Sequence, residues 1–540
     1  MKLAPLPVDG PIVEGRGIQR GFDETCDAVI VGSGAGGAVI AAILAEAGQR
    51  VIVLEEGPYY TPAEYGAFRP TESMRRIWRE SGLLTALGLG QTPVIGLSAG
   101  RCVGGSSVLT GGVCFRIPSQ IHAHWVDELG LDELSEKSLE SAYEAVERRI
   151  RVTEVPQSMR SEATQRFVRG AERLGIPMYP IKRNTEACVG NGRCNFGCPS
   201  GAKLSVDVSY LPAALARGGR VVSDALVERV NVDHGRAVGV SGRLLDGPEG
   251  APSSPFRVRA RVVVVACGTL HTPILLLRSG LGRSTPSLGR NVTLHPALRV
   301  SALFDEVLDG WNGALQSVYS NHFAREGITL VGVYSAVNVL AAALPGTGAA
   351  HRRFVADMPR HGIFGAMVHD EGGGSVRLGP GREPILTYRM APRDLLRLRR
   401  AITILAEMAF AGGARELYLP IFGQHPVRSV DEVKRLEHAS LDARRIECIA
   451  FHPLGSARMA TDARRGVVDA NGQSYEVDDL YIADGSILPT SIGVNSQVPI
   501  MTMATRLAWR LADRMTRSAR ASALADGSLS PQSNATTGGG

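Results

Sequence analysis

The chain has few aromatic residues, little net charge and few cysteines. Aromatic residues make up 5% of its 540 residues, and the formal net charge is +6 at pH 7. No cluster of lysine and arginine contains interleaved aromatics, so the composition does not indicate nucleic acid as a partner. The eight cysteines are scattered and do not form a paired framework. That usage is typical of a reducing compartment.

Two kinds of hydrophobic segment are also missing. The first residues, MKLAPLPVDGPIVEGRG, contain no apolar run of the kind found in secretory signals. We therefore expect a cytoplasmic protein. The uncharged run at residues 28–45 has the length of a membrane span, but three glycines lie in its first half and it begins like a strand. It is better explained as a buried strand followed by a helix.

Residues 26–57, CDAVIVGSGAGGAVIAAILAEAGQRVIVLEEG, have the pattern of a nucleotide-binding βα unit. Gly32 permits a tight turn, Gly34 lets the backbone approach a pyrophosphate, and Gly37 lets the helix pack closely on the strand. The helix N-terminus favours phosphate, and Glu55 at the end of the second strand can accept hydrogen bonds from ribose hydroxyls. G-x-G-x-x-G with this strand, helix and acid is a specific signal.

Three later regions extend the pattern. Residues 100–118, GRCVGGSSVLTGGVCFRIP, pair glycines with serines, which indicates a second close approach of backbone to a ligand. Strand–turn–helix patterns return at residues 260–278 and 449–512. Between them, residues 300–445 alternate apolar and polar side chains with glycine turns, which predicts a mainly antiparallel sheet plus a helix. A chain this long needs two closely linked domains, and we interpret residues 300–445 as the substrate domain.

Five blocks in this order resemble the glucose–methanol–choline family of flavin oxidoreductases. They are residues 32–37, residues 100–116, residues 267–282 (CGTLHTPILLLRSGLG), residues 451–459 (FHPLGSARM) and residues 480–503 (LYIADGSILPTSIGVNSQVPIMTM). The resemblance covers most of the chain, from about residue 27 to residue 512. Within the family, the cysteine segment followed by PSGAK and the pair His295-Pro296 resemble the long-chain-alcohol oxidases.

The resemblance implies an α/β fold with a Rossmann-type FAD-binding domain, discontinuous in sequence, and an α+β substrate domain with a mainly antiparallel sheet. We assign residues 20–125, 200–298 and 449–515 to the FAD-binding domain. Residues 126–199 and 299–448 are assigned to the substrate domain. Residues 516–540 are small and polar, and we expect them to form a disordered tail.

The cofactor implied by the resemblance is FAD. Asp484 and Gly485 follow a predicted strand and match family positions near the cofactor, and Val227 matches a strand that covers the adenine. Thr110 stands where the family usually has asparagine, which reduces the hydrogen bonds available to the flavin edge. The predicted cofactor-binding residues are Gly32, Ser33, Gly34, Ala35, Gly36, Gly37, Glu55, Gly104, Gly105, Ser106, Thr110, Val227, Asp484 and Gly485. Covalent attachment of FAD stays open.

Two residues are predicted to act on the substrate. Oxidation of an alcohol by a flavin needs a base near the hydroxyl, and histidine has the most suitable pKa. His452 resembles the catalytic histidine of the family, and Asn495 stands where other members have a second histidine or asparagine. The amide of Asn495 can donate a hydrogen bond but cannot act as a base. A hydrogen-bonded core histidine is the structural alternative for His452, and a turn residue is the alternative for Asn495.

Three cysteines raise a second possibility for electron transfer. Cys188, Cys194 and Cys198 have the spacing C-x5-C-x3-C, with a proline after the last. Some dehydrogenases of the family carry an iron–sulfur cluster on cysteines of similar spacing. The favoured interpretation is a reduced, structurally packed loop, and we assign no metal.

The predicted substrate is an alcohol, either long-chain or otherwise apolar, which is oxidised to an aldehyde or ketone. The uncharged run at residues 327–350 is interpreted as a buried strand and helix, and one hypothesis is that part of it lines an apolar channel. Peripheral contact with a membrane surface would follow. Oxygen or a redox partner accepts the electrons. The alternatives are a sugar or sterol dehydrogenase with an iron–sulfur cluster, and a flavin-binding protein without catalysis.

Overall fold

The computed structural model describes residues 6, 12–246, 250–334, 341, 347–438 and 442–525. The strands are β1 (Ile12–Glu14), β2 (Phe22–Val31), β3 (Val51–Leu54), β4 (Leu84–Gly88), β5 (Ile95–Leu97), β6 (Val152–Glu154), β7 (Tyr179–Pro180), β8 (Lys182–Asn184), β9 (Arg220–Ser223), β10 (Ala225–Asp233), β11 (Arg236–Leu245), β12 (Pro252–Val265), β13 (Ala297–Leu303), β14 (Gln316–Ser320), β15 (Ile328–Val333), β16 (His361–Val368), β17 (Gly373–Arg377), β18 (Ile385–Arg389), β19 (Glu416–Tyr418), β20 (Cys448–Ala450) and β21 (Leu480–Ile482).

The helices, numbered in chain order, are α1 (Ala35–Glu46), α2 (Pro62–Ala67), α3 (Pro70–Ile77), α4 (Ser119–Asp127), α5 (Glu136–Arg149), α6 (Glu162–Arg173), α7 (Val206–Ser209), α8 (Leu211–Leu215), α9 (Gly268–Arg278), α10 (Gly348–Ala356), α11 (Pro392–Ala411), α12 (Val430–His438) and α13 (Gln497–Ala525). Within the described residues no helix combines the length and the apolar character needed to cross a bilayer.

The first sheet carries the nucleotide-binding pattern. In the described chain it has eight strands, in the order β1-β9-β3-β2-β12-β11-β10, with β21 also paired to β12. Strand β2 lies between parallel neighbours β3 and β12. The end of β2 is therefore apolar on both faces, as is usual for a central parallel strand. Helices α1, α5 and α13 pack together against this core.

The second sheet is mainly antiparallel. Its described strands follow the order β17-β18-β4-β5-β20-β13-β16-β15-β14-β7, with β19 also paired to β13. Strand β16 is buried at every position because β13 and β15 pair with its two edges and helices cover one face. Helix α11 packs on that sheet together with α6 and α12. The predicted fold class, one Rossmann-type domain plus a mainly antiparallel substrate domain, is confirmed.

Two segments pack elsewhere than the sequence pattern suggested. Helix α5, placed with the substrate domain, packs in the first core through Leu139, Tyr143 and Val146. Strands β4 and β5, placed with the FAD-binding domain, belong to the second sheet. Both follow from contacts between segments far apart in the chain, which a local pattern does not encode.

The last helix is longer than the pattern suggested. Helix α13 continues to Ala525, so residues 516–525 of the expected disordered tail are helical. Residues 526–540 of that tail lie outside the described residues.

Candidate active site

A cavity of about 430 Å³ is lined by residues of both sheets. On one side are glycine-rich turns at residues 32–37 and 104–105, which we name the cradle. On the other side are cavity-facing side chains of β13, β14, β15 and β16, which we name the roof. His452 and Asn495 lie on the wall between them.

The first turn of the cradle leaves no room for side chains at three of its glycines, Gly32, Gly36 and Gly37. Gly32 has φ of +99°, and a Cβ atom there would lie 2.3 Å from the carbonyl oxygen of Ala266. A Cβ atom on Gly36 would lie 1.5 Å from the carbonyl oxygen of Ala483, at the end of β21. These glycines allow the turn and α1 to approach the carboxyl ends of β12 and β21, which are parallel.

Gly34 differs from both neighbours because its open side faces the cavity. A Cβ atom at Gly34 would meet no described atom within 4 Å. In the second turn, a Cβ on Gly105 would lie 2.9 Å from Cα of Gly34, so the two turns are in contact. Helix α1 begins here with no side-chain cap among the described residues. The first N–H groups of a helix lack intrahelical acceptors, so this surface fits a pyrophosphate.

Glu55 holds the two turns together from behind. Its carboxylate accepts hydrogen bonds from the backbone N–H of Ser33 (3.0 Å), from Ser33 Oγ (2.7 Å) and from the N–H of Gly57 (2.9 Å). Ser33 Oγ in turn accepts from the N–H of Gly104 at 2.9 Å. Burial raises the pKa of Glu55. Glu55 lines the cavity as well. A hydrogen bond from the ribose to its carboxylate would therefore compete with the hydrogen bonds that hold the two turns together.

A second buried carboxylate, that of Asp484, lies beside the first turn of the cradle. Asp484 accepts hydrogen bonds from the N–H of Gly268 at 2.9 Å and of Ser486 at 2.8 Å, and from Thr272 Oγ1. It therefore joins the start of α9 to the turn after β21. Burial raises the pKa of Asp484. Gly485, the next residue, lines the cavity beside it.

The catalytic pair predicted from sequence is in direct contact. The amide nitrogen of Asn495 lies 3.0 Å from Nε2 of His452 and donates to it, which places the ring proton on Nδ1. That Nδ1 is buried without a hydrogen-bond partner among the described residues. Burial and, secondarily, the nearby His295 lower the pKa of His452 to about 3. The ring is therefore neutral at ordinary pH, and Nε2 is its proton-accepting atom.

The roof is mostly apolar, with Arg299 and Gln316 as polar members, and it is arranged in rows across the strands. Antiparallel pairing aligns Ala297, Met367 and Ile449 in a first row. Val331 and Arg299 lie on either side of Gly365 in the second row, and Arg299 donates a hydrogen bond to Glu447 at 2.8 Å. The third row contains Val333, which pairs with Gln316. All of these residues except Glu447 line the cavity. Residues in the first and third rows are four positions apart along a strand, a span of about 13 Å.

His452 lies beyond the first row. It follows β20 by two residues, and its carbonyl oxygen accepts a hydrogen bond from His295, two residues before β13. The rows therefore lead away from His452. Part of the uncharged run at residues 327–350 contributes to them, through Val331, Val333 and Tyr334. Residues 335–340 and 342–346 of that run lie outside the described residues.

Most of the predicted site residues come together in this cavity. Those on its wall are Gly32, Gly34, Ala35, Gly36, Glu55, Gly105, Ser106, Thr110, Val227, Asp484, Gly485, His452 and Asn495. Ser33, Gly37 and Gly104 are absent from the wall that the described residues form. A Cβ on Gly37 would lie 1.9 Å from the carbonyl oxygen of Gly32, so this glycine serves packing.

Sequence patterns missed two groups of wall residues. Gln497 accepts a hydrogen bond from Thr110 Oγ1 at 2.8 Å. This bond ties the segment after the second turn of the cradle to the start of α13. Arg79 donates to Glu56 at 2.6 Å and to Glu383 at 2.8 Å. Although burial opposes it, Arg79 and a second arginine lower the pKa of Glu56 to about 2. Glu56 could have been predicted, because it follows Glu55 directly at the end of β3. No sequence motif contains Arg79, so it could not have been predicted in this way.

The three loop cysteines lie apart from this cavity. Cys188, Cys194 and Cys198 surround a separate pocket of about 20 Å³. Cys194 Sγ accepts a hydrogen bond from buried Arg183 at 3.0 Å. Lys203 Nζ donates to the carbonyl oxygens of Cys194 and Thr110, which braces the loop against the cradle. Within the described residues, no group of three or more His, Cys, Asp or Glu is arranged to hold a metal ion.

Family comparisons agree with this architecture. The model of the GMC oxidoreductase N-terminal domain matches residues 26–297, and that of the C-terminal domain matches residues 371–504. An uncharacterized GMC-type oxidoreductase of Mycobacterium tuberculosis is 38% identical over 483 residues, which cover 89% of this chain and 75% of the relative. The long-chain-alcohol oxidase FAO4B of Arabidopsis thaliana is 30% identical, over 91% of this chain and 68% of the relative.

Solved structures share the fold at lower identity. Pyridoxine 4-oxidase from Mesorbium loti matches with a TM-score of 0.68 and 21% identity, over 90% of this chain and 99% of that one. A formate oxidase variant of Aspergillus oryzae matches with a TM-score of 0.69 and 16% identity, over 92% of this chain and 99% of that one.

Proposed function

Because the chain belongs to the GMC oxidoreductase family and is an FAD-dependent oxidoreductase of CH–OH donors, we propose that it oxidises an apolar, long-chain alcohol to the aldehyde. The observation that carries this proposal is the contact between His452 Nε2 and Asn495 at the end of the roof. A proton acceptor and a hydrogen-bond donor thus lie together at one end of a mostly apolar roof.

The cradle is suited to hold FAD. The open side of Gly34 and the start of α1 fit the pyrophosphate, while Glu55 and Val227 would face the ribose and adenine. Thr110 and Asp484 would lie along the remaining length of the cofactor. When bound, FAD supplies the hydride acceptor that the protein's own side chains lack.

His452 is proposed as the base. Nε2 has one lone pair, which the Asn495 amide occupies in the free protein. When the alcohol binds, this amide N–H would turn to the hydroxyl oxygen and orient it, and the neutral ring would accept the hydroxyl proton at Nε2. Burial lowers the pKa of His452, which keeps the imidazole uncharged at neutral pH and also makes it a weaker base.

The roof supports a substrate with an extended apolar body. Its three rows lead about 13 Å away from His452, and Val331, Val333 and Met367 supply its apolar side chains. The long-chain-alcohol oxidases among the relatives favour the same substrate class. Aliphatic alcohols are therefore preferred to sugars in this proposal, while a sterol stays the second candidate because its body is also apolar.

Oxygen is the proposed electron acceptor, as in the oxidases among the relatives. The alternative with an iron–sulfur cluster has less support, because within the described residues the three cysteines do not form a metal-binding group. A flavin-binding protein without catalysis is disfavoured by the contact between His452 and Asn495. Cytoplasmic location and peripheral membrane contact stay predictions.

Anaerobic reduction of the bound flavin tests the proposal. Butanol, decanol, hexadecanol, a sterol and glucose are each mixed with the holoprotein, bleaching of the flavin absorbance is followed, and oxygen is then added. We expect bleaching to be fastest with hexadecanol, and recovery with release of hydrogen peroxide. His452→Ala should slow bleaching by at least about 100-fold.

The matched control is His361→Gln. His361 is a fully buried histidine of β16 that contacts Ser301 Oγ at 2.9 Å and lies off the cavity wall. This variant should bleach at close to the wild-type rate. Preference for glucose, or equal rates for His452→Ala and wild type, would overturn the proposal. Iron in the purified protein together with absent oxidase activity would favour the cluster-bearing alternative.

A further inference from the structure

Three buried side chains next to the catalytic pair have no part in the proposed chemistry. They are His295, Asp370 and Ser491, with exposed fractions of 0%, 2% and 3%, and we name them the brace. They come from the segment before β13, the segment after β16 and the turn that precedes Asn495. The brace thus joins three parts of the chain behind His452.

His295 uses both ring nitrogens. Its Nδ1–H donates to the carbonyl oxygen of His452 at 3.1 Å. Its Nε2 accepts from the backbone N–H groups of Ile492 and Gly493, each at 2.9 Å. Because Nε2 accepts twice, the ring must be neutral with its proton on Nδ1. One side chain therefore links the backbone of His452 to the turn that leads to Asn495.

Asp370 joins the segment that contains His295 to the same turn. It accepts hydrogen bonds from the backbone N–H of His295 (3.2 Å) and of Leu294 (2.8 Å), and from Ser491 Oγ (2.7 Å). Tyr388 donates to it as well. His295 has φ of +52°, a left-handed conformation that is uncommon for a residue other than glycine. The two backbone hydrogen bonds to Asp370 hold this conformation in place.

We propose that His295 is a positioning residue that sets the separation of His452 Nε2 and the Asn495 amide. The inference rests on the proposed function, since it concerns the same pair. His452 follows the short strand β20, and Asn495 lies in a turn 43 positions further on. The hydrogen bonds of His295 connect these two segments through a single side chain. The two imidazole rings are 6.0 Å apart and nearly perpendicular, so His295 supports the backbone of His452 without competing for Nε2.

A leucine and a glutamine at position 295 separate positioning from packing. His295→Leu fills similar space but neither donates nor accepts, so it leaves the N–H groups of Ile492 and Gly493 unpaired. His295→Gln retains an amide N–H for the carbonyl of His452 and an oxygen for the two N–H groups. His361→Leu in the same sheet is the control for loss of a buried histidine.

The readout is anaerobic flavin reduction by the preferred alcohol over a range of concentrations. We expect His295→Leu to lower the limiting rate about 100-fold, with the half-saturating concentration changed less than about threefold, because misplacement by about 1 Å has effects of that size on rate. His295→Gln should recover most of the rate. His361→Leu should lose thermal stability while keeping its rate.

A measurement on the unaltered side chain keeps the inference testable if the leucine variant does not fold. In ¹⁵N-histidine NMR spectra of the wild type, the resonance that disappears in His295→Gln should show a neutral ring protonated at Nδ1. A ring protonated at Nε2 would overturn the inference. So would a folded His295→Leu with the wild-type rate, or a glutamine variant as slow as the leucine variant. If His452→Ala also keeps the wild-type rate, the proposed function itself fails.

Discussion

The cradle and the roof face the same cavity but are built in opposite ways. The cradle is backbone, and at Gly36 a single added carbon would lie 1.5 Å from a carbonyl oxygen. The roof is made of side chains in register across antiparallel strands. A backbone surface suits a ligand of constant shape such as FAD. A side-chain surface can be altered residue by residue, which suits selection among substrates.

Burial also shifts pKa values in opposite directions near the two surfaces, because carboxylates lie near one and histidines near the other. In the cradle, burial raises the pKa of Glu55 and Asp484. In and near the roof, burial lowers the pKa of His361 to about 4 and of His452 to about 3. In both places the native state favours the neutral form, because burial penalises charge.

The sharpest contrast within the cradle is between Gly36 and Gly34. Gly36→Ala should lower the free energy of unfolding of the FAD-free protein by at least about 3 kcal/mol, because helix α1 must move away from Ala483. Gly34→Ala should change that free energy by less than about 0.5 kcal/mol. Its Cβ would occupy the open side of the turn, so FAD should bind at least about tenfold more weakly. Denaturant titration and flavin fluorescence measure the two effects.

Equal stability of the two glycine variants would contradict the packing described for α1. Unchanged FAD affinity in Gly34→Ala would show that the cofactor does not approach this turn, and the cradle would then have to be reassigned.

Lowering the pH should reduce the free energy of unfolding, in part because His361 is held neutral in the native state. A histidine whose pKa is lowered on folding binds fewer protons in the native than in the unfolded state. Its contribution to stability is therefore complete above about pH 6.5 and is lost as the pH falls towards the folded pKa. His361→Gln removes this term. The drop in unfolding free energy between pH 8 and pH 5 should be smaller in the variant by about 2 kcal/mol. Urea titrations of wild type and variant at both pH values test this, and parallel pH profiles would refute it.

Changes in the roof should have graded effects on substrate choice. Val333→Phe fills the third row, far from His452, and should lower the specificity for hexadecanol relative to butanol by about tenfold, or about 1.4 kcal/mol. Met367→Phe fills the first row and should impair both alcohols to a similar extent. Steady-state kcat/KM values for the two alcohols measure the difference. Identical effects of both substitutions on the ratio would mean that the rows do not lie along the bound alcohol.

Several residues of the site were predictable because their signals are local. The glycines at 32, 34 and 37 are separated by a few residues, and the geometry of one turn dictates their spacing. His452 and Asn495 were both predicted, each from the block in which it lies. Their contact at 3.0 Å could not be predicted from either block, because the two residues lie 43 positions apart.

Other features had no local signal. The packing of α5 in the first core and of β4 in the second sheet depends on partners far away in the chain. Thr110 was considered only for its hydrogen bonds to the flavin edge, and its hydrogen bond to Gln497, 387 positions away, had no signal in the sequence. His295 was noticed only as part of a family pattern, and its role depends on Ile492 and Gly493, almost 200 positions away.

The sequence alone indicated the cofactor class and the two-domain fold, and it led to the proposal of His452 as proton acceptor, because turns, strand patterns and motif blocks are encoded by neighbouring residues. The tertiary structure alone decided which faces of β13, β15 and β16 form the roof, and how His452 is held relative to Asn495. Strand register and the brace arise from hydrogen bonds between residues far apart in sequence. Such pairings are selected by the burial and hydrogen bonding of the whole fold, so they exist only once the chain has folded.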